Sequence, residues 1–511
     1  MWTPSIPLLC AVVLGMMPLA CHAELPHIVF MLVDDWGWAN VGYHRQVATK
    51  EVVTPTFDRL CKQQGLELDQ HYAFKVCSPS RCSLMSGRLP VHVNTENLAA
   101  SIVNTKDPVS GAMGIPRNMT CIAEKLNLAG YESHQVGKWD AGMATPDHTP
   151  KGRGFKTSLG YFHHDNDYWT EGVMDPIEYF PGCRGEHTDL WDTDRPAKTL
   201  NGTAYEEELF ANRVLSIVNG HNASNPLFLY YAPHIAHTPL QVPKAYEEKF
   251  SFIENTHRRI YHAMVNYLDD VLAKLEQALI AKGMWSNTLM VVSSDNGGPV
   301  YRGGGGNNYP LKGGKASNFQ GGVRVNAFVT GGFLPEKRRG QVSDGYIALA
   351  DWYKTFCGLA GVDWHDEKAE KAKLPPVDGY DVWPLLSGTT TVSPRTEIPL
   401  NPGLISGDFK ILVDTMRQAG WTGPQYPNNS QVEGIHAVQE CGYNGCLYNI
   451  KEDPEERHDL AASMPDKAKE MRQRLDTWDD TWFRPDRGVL PSLEACKQVK
   501  ANGGFFGPFL P

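Results

Sequence analysis

His27-Ile28-Val29-Phe30-Met31-Leu32-Val33 is an apolar run closed by two adjacent carboxylates, Asp34-Asp35. Two later stretches repeat the design. Leu227-Phe228-Leu229-Tyr230-Tyr231-Ala232 leads into Pro233-His234 and His237, and Thr288-Leu289-Met290-Val291-Val292-Ser293-Ser294 leads into Asp295-Asn296-Gly297-Gly298. Apolar runs of this length suit central strands of a parallel sheet, covered on both faces. Between them, Ile260, Met264, Leu268, Val271, Leu275 and Leu279 recur at helical spacing, and Gly283 can stop that helix. The alternation predicts an α/β fold, a large mixed, mostly parallel sheet flanked by helices. Ligands in such sheets sit beyond the carboxyl ends of the strands. Asp34, Asp35, His237, Asp295 and Asn296 are therefore expected to converge, far apart as they are in the chain.

Composition changes over Leu386 to Pro402, which is rich in Ser, Thr, Gly and Pro. A boundary there divides a main domain, 24–395, from a smaller C-terminal domain, 396–511. The smaller part reads as α+β with an antiparallel sheet: Phe409 to Asp414 and Cys446 to Ile450 as strands, Asp466 to Trp478 as a helix.

Residues 1–23 read as a signal peptide. Ile6 to Ala20 is apolar, broken by Pro7 and Pro18, and Cys21-His22-Ala23 offers a small-residue cleavage site. About 15 apolar residues fall short of the roughly 20 needed to span a bilayer, and no later segment is long and apolar enough. Four sequons begin at Asn118, Asn201, Asn222 and Asn428 and suit an exported glycoprotein. Of the 11 cysteines, Cys10 and Cys21 lie in the leader. If Cys77 is consumed by modification, the remaining even set suits disulfides in an oxidising compartment; Cys441 and Cys446 can close a small loop. A net charge of -10 over 511 residues argues against a nucleic-acid partner.

Asp34, Asp35, Asp295 and Asn296 make an all-oxygen set, which suits a hard divalent cation and not zinc. The bland alternative for Asp34-Asp35 is a pair of turn or capping aspartates. Cys77-Ser78-Pro79-Ser80-Arg81, followed by Met85-Ser86-Gly87-Arg88, is a second dense cluster. Cys77 has two plain readings, a disulfide with Cys82 or a buried thiol. Gly137-Lys138-Trp139-Asp140-Ala141-Gly142 brings a cation and a carboxylate together. His237 sits in Ala236-His237-Thr238-Pro239-Leu240-Gln241-Val242-Pro243, with His234 as a competitor. Lys315 closes Pro310-Leu311-Lys312-Gly313-Gly314-Lys315, with Lys312 as the alternate. That segment is not a nucleotide-binding loop, because Tyr309 and Ala316 replace the glycine and hydroxyl residue required. Gly160 to Trp169 mixes His, Asp and aromatic residues and reads as a substrate-facing loop.

These blocks resemble the sulfatase family, most closely its arylsulfatase B (N-acetylgalactosamine-4-sulfatase-like) branch. The resemblance runs from Asp34 to Arg324, with a further match at Leu447-Tyr448-Asn449-Ile450 and Asp453-Pro454. It implies an alkaline-phosphatase-like fold and hydrolysis of sulfate monoesters, aryl or carbohydrate, to an alcohol and inorganic sulfate. It implies that Cys77 is oxidised to formylglycine by a formylglycine-generating enzyme. One hydroxyl of the hydrated aldehyde attacks sulfur, and loss of the other hydroxyl's proton expels sulfate. Asp34, Asp35, residue 77, Asp295 and Asn296 match the metal ligands, and the metal is usually Ca²⁺. Arg81 would orient residue 77, Lys138 would bridge it to the sulfate, and His237 and Lys315 would bind sulfate, His237 also protonating the leaving oxygen. Asp140 stands where the family usually has a histidine. The resemblance also implies a secreted or lysosome-like location and a sulfated small molecule or glycan as substrate. Two other readings stay open: a phosphodiesterase or phosphonate hydrolase on the same fold, and a catalytically weak secreted homologue that binds sulfated glycans, motivated by Asp140.

Overall fold

The computed structural model describes residues 24–45, 49–173, 187–301, 303–428, 432–433 and 435–511. The expected signal peptide lies outside them. The strands are β1 (His27–Val33), β2 (Leu66–Leu68), β3 (His71–Tyr72), β4 (Glu132–Lys138), β5 (Thr157–Tyr161), β6 (Trp191–Asp192), β7 (Arg195–Pro196), β8 (Leu227–Ala232), β9 (Thr288–Ser294), β10 (Ala327–Thr330), β11 (Gln341–Ser343), β12 (Ile347–Ala348), β13 (Glu397–Pro399), β14 (Gly403–Ser406), β15 (Phe409–Arg417), β16 (Trp421–Thr422), β17 (Val432–Glu433) and β18 (Val438–Asn449).

Ten of these form one sheet in the order β11-β2-β10-β9-β1-β8-β4-β5-β6-β7. The centre, from β9 through β1, β8 and β4 to β5, is parallel. β10 runs antiparallel to β9, and β6 to β5. The three apolar runs of the sequence are thus the three adjacent strands β9, β1 and β8. Every residue of β1 is buried, and its side chains alternate between two cores. Ile28, Phe30 and Leu32 face one, Val29, Met31 and Val33 the other. Burying such a side chain contributes roughly 1.5–3 kcal/mol, and a one-residue slip of β1 would exchange the side chains of the two cores and spoil the packing of both.

The expected helix spans Thr256–Ala281, capped by the Asn255 side chain, which accepts from the Arg258 N–H. Met264, Leu268, Val271, Leu275 and Leu279 face the second core, and the left-handed Gly283 (φ 71°) follows its end. No helix among the described residues is long and apolar enough to cross a membrane.

A smaller antiparallel sheet has the order β13-β14-β15-β18. The helix Pro465–Asp479 covers one face with Ala468, Met471 and Leu475 against Leu404, Ile411, Val413 and Leu447. The other face packs Ile405, Leu412 and Tyr448 on Tyr72, Phe319 and Val323 of the larger part. The expected strands are longer than read: Gly442 (φ 57°) and Gly445 (φ 83°) let β18 continue past the Cys441–Cys446 disulfide. The last helix, Leu493–Ala501, and the tail residues Phe506 and Phe509 return to the first core of the large sheet.

The Cys441–Cys446 loop closes as expected, but the even set does not pair throughout. Cys441–Cys446 is bonded, and Cys496 is disulfide-bonded too. Cys61, Cys82, Cys121 and Cys357 are free and buried. They serve as small apolar core residues; an even number of cysteines does not bring their sulfurs within bonding distance.

Candidate active site

The carboxyl ends of β1, β4, β8 and β9 bring the predicted residues to one place. Asp34 and Asp35 end β1, and Asp295 and Asn296 end β9; all four are fully buried. The Asp35 N–H donates to Asp295 Oδ1 at 3.2 Å, and Asn296 Nδ2 donates to Asp35 Oδ1 at 2.7 Å. Ligand atoms of Asp34, Asp35, Cys77 and His237 all lie within 4.8 Å of one another. Asn296 Oδ1 is a buried acceptor with no hydrogen-bond partner among the described residues, so it is open to a ligand. Oxygen donors of this kind fit a hard divalent cation. Asp295 stands slightly apart, since its Oδ2 accepts from Arg81 Nε and Nη2 at 3.1 and 2.7 Å.

Three buried cations answer these anions. Arg81 joins Asp295 to Asp34, whose Oδ2 is 3.5 Å from Nη2. Lys138 Nζ donates to Asp34 Oδ2 at 2.7 Å, and Lys315 Nζ to Asp35 Oδ2 at 2.8 Å. Burial alone would lower the pKa of each, but Asp295 holds Arg81, Asp34 holds Lys138 and Asp35 holds Lys315 above the usual range. All three stay charged. Lys312, the alternate, points elsewhere: its Nζ donates to Gln439 Oε1 and lies over the rings of Phe319, Trp421 and Tyr448.

Cys77 opens the helix Cys77–Ser86. It is a free thiol, so the disulfide with Cys82 does not form. Its Sγ donates to Asp34 Oδ1 at 3.5 Å. Burial, reinforced by Asp295, pushes the thiol pKa well up. An unmodified Cys77 is therefore a protonated, poor nucleophile, although its position touches both the carboxylates and the cations.

His237 and His234 separate into two roles. His237 Nδ1 contacts the Thr238 carbonyl at 2.7 Å, and its Nε2 lies 3.6 Å from Asp35 Oδ2. Burial and the charges of Lys315 and Lys138 push its pKa well down. His234 instead bonds Glu206 through Nδ1 at 2.9 Å and stacks on Tyr168. Asp140 lies 3.8 Å from Lys138 Nζ, and its Oδ2 meets His164 Nδ1 at 3.0 Å. Burial would raise the Asp140 pKa, but His164 and Lys138 hold it below the usual carboxylate range. His164 belongs to the expected substrate-facing loop; its pairing with Asp140 is invisible in the linear sequence. The usable signal is that both residues follow the ends of strands, β5 and β4, that turn out to be neighbours.

A rim of oxygen ligands and buried cations around residue 77 defines a hydrolase centre for an anionic ester. The Sulfatase family model matches residues 26–362, and the chain belongs to the sulfatase family. Arylsulfatase J of Mus musculus is 31% identical over 512 residues, covering 95% of this chain and 80% of that protein. N-acetylgalactosamine-6-sulfatase of Rattus norvegicus is 28% identical over 492 residues, covering 93% and 89%. The crystal structure of Ps i-CgsB in complex with k-i-k-neocarrahexaose is similar at TM-score 0.71 and 25% identity, covering 94% of this chain and 98% of that one. These matches carry the family, not a branch within it.

Proposed function

We propose that this centre hydrolyses sulfate monoesters of a carbohydrate, releasing an alcohol and inorganic sulfate. The supporting observation is the gathering of Arg81, Lys138, Lys315 and the β1 and β9 carboxylates around residue 77. The bound oligosaccharide of the similar Ps i-CgsB structure favours a sugar substrate. We assign Asp34, Asp35, Asp295, Asn296 and residue 77 as ligands of a divalent cation, and Ca²⁺ suits their oxygen donors. Formylglycine at position 77, made by a formylglycine-generating enzyme, supplies the hydroxyl that attacks sulfur.

The side chains do the rest. Lys138 and Lys315 each present an ammonium to sulfate oxygens, and Arg81 fixes Asp295 and offsets charge beside residue 77. His237 delivers a proton to the bridging oxygen as the alcohol leaves. An anionic ester drawn against its imidazole counters the burial that otherwise strips that proton. Asp140, beside Lys138, would take the proton of the second hydroxyl of hydrated residue 77 as sulfate is expelled.

We place the protein in the secretory pathway, with residues 1–23 as the leader. Asn222 is exposed and can carry a glycan. The Asn201 amide donates to Thr170 O and Glu171 Oε2, bonds a glycan there would break. The test is sulfate release from aryl sulfates and sulfated oligosaccharides, with and without Ca²⁺, beside matched phosphate esters. Sulfate esters should turn over faster, and Cys77→Ala should lower kcat/KM by about 10³-fold or more. Faster phosphate hydrolysis, or no sulfate release from matured protein, defeats the reading.

A further inference from the structure

β4 and β5 are parallel neighbours, with Lys138 opposite Tyr161. Asp140 lies two residues past Lys138, and His164 three past Tyr161. Asp140 has a left-handed backbone (φ 46°), unusual outside glycine and a sign that its surroundings dictate its direction. Its carboxylate is 4% exposed and reaches two partners through one oxygen: His164 Nδ1 at 3.0 Å and Lys138 Nζ at 3.8 Å. The preceding histidine behaves differently. His163 Nδ1 meets Asp189 at 2.8 Å, and Asp189 also accepts the backbone N–H groups of Phe162 and His163. That pair is a clamp that shapes the loop.

The charges around residue 77 make the second pair conspicuous. Asp34, Asp35, Asp295 and Asp140 face Arg81, Lys138 and Lys315. Asp34 fixes Lys138 from one side, and among the described residues Asp140 is the other anion within reach of that ammonium. A buried carboxylate at such a distance competes with any incoming oxyanion and repels it. The contact that holds it off is His164.

We propose that His164 is a positioning residue for oxyanion binding: it draws the Asp140 carboxylate onto its own Nδ1–H and so keeps the Lys138 ammonium open to an oxyanion. The role rests on the reading of this centre as a sulfate-ester site. Without the imidazole, Asp140 closes on Lys138 and the two neutralise each other.

The test uses inorganic sulfate and the full chain with Cys77 unmodified, by titration calorimetry in saturating CaCl₂. His164→Ala should weaken sulfate binding about tenfold, the effect of roughly one pKa unit of interaction. Asp140→Asn should bind at least as well as wild type. The double variant, His164→Ala with Asp140→Asn, should recover wild-type affinity, because no carboxylate remains to be held off; this non-additivity is the signature of coupling. His164→Asn keeps an N–H donor and should lose less than His164→Ala. The proposal falls if His164→Ala binds sulfate as wild type does. It falls equally if the double variant stays as weak as His164→Ala, which would mean the loop collapses for structural reasons. A wild-type protein that binds no sulfate overturns the reading of the centre itself, and this proposal with it.

Discussion

Two parts of this molecule bury charge, and they do so by opposite rules. In the smaller sheet, Lys410 and Glu456 are both fully buried and meet at 2.8 Å, and Glu456 Oε2 also accepts the Gln320 N–H. One cation answers one anion. Arg395 and Asp351 repeat the pattern with two parallel bonds of 2.6 and 2.7 Å. At the rim of the large sheet, among the described residues, four carboxylates face three cations, and Asn296 Oδ1 has no hydrogen-bond partner. The first arrangement balances its charges pair by pair and is structural. The second is finished only by something that binds, which is why chemistry belongs there.

Three substitutions and conditions can break this contrast. The largest effect is expected at the rim. Asp35→Asn removes a proposed metal ligand and the partner of Lys315, and should lower kcat/KM by about 10³-fold. Without added divalent cation its stability should stay within about 1 kcal/mol of wild type, since a like-charge contact is removed with the ion pair. Kinetics and denaturant unfolding of the same preparation check both halves.

Glu456→Gln should show the reverse. It leaves Lys410 buried without a counter-charge, at a cost of about 3 kcal/mol or more, while KM per folded molecule stays unchanged. If activity falls in step with stability at both positions, the division between rim and structural pair is wrong.

The smallest effect concerns pH. His27 opens β1 and His134 lies on β4, and burial lowers both pKa values to about 4, with help from His221 for the first and Lys156 for the second. A histidine with a depressed folded-state pKa contributes stability that is present above pH 6.5 and lost as pH falls through 4. Glu171 and Glu207, pushed up to about 7 by burial, act oppositely, their contribution being lost as pH rises through 7. The histidine part is isolated by His134→Asn, which should flatten the fall in urea midpoint between pH 6.5 and 4. An unchanged slope would show that His134 does not titrate with unfolding.

Much of this was legible in one dimension. β1, β8 and β9 announce themselves because a strand covered on both faces must be apolar throughout, and the residues that break each run mark the ligand end. The choice of Lys315 over Lys312 came from the family resemblance, and the local residues by themselves did not carry it. Gly313 and Gly314 let the chain turn between them, and two of the three rings that hold Lys312, Trp421 and Tyr448, come from more than a hundred residues away. The even cysteine count was misleading for the same reason, since pairing depends on distance and Cys61, Cys82, Cys121 and Cys357 are spread through the core.

Sequence alone determined the parallel sheet, the cluster around Cys77 and the oxygen-bearing side chains that follow β1 and β9, because apolar runs and local spacing are properties of neighbours along a chain. Tertiary structure alone decided that His164 stands against Asp140 and that Arg81 claims Asp295. Those outcomes depend on strand order, and strand order is set by how two cores close over one sheet.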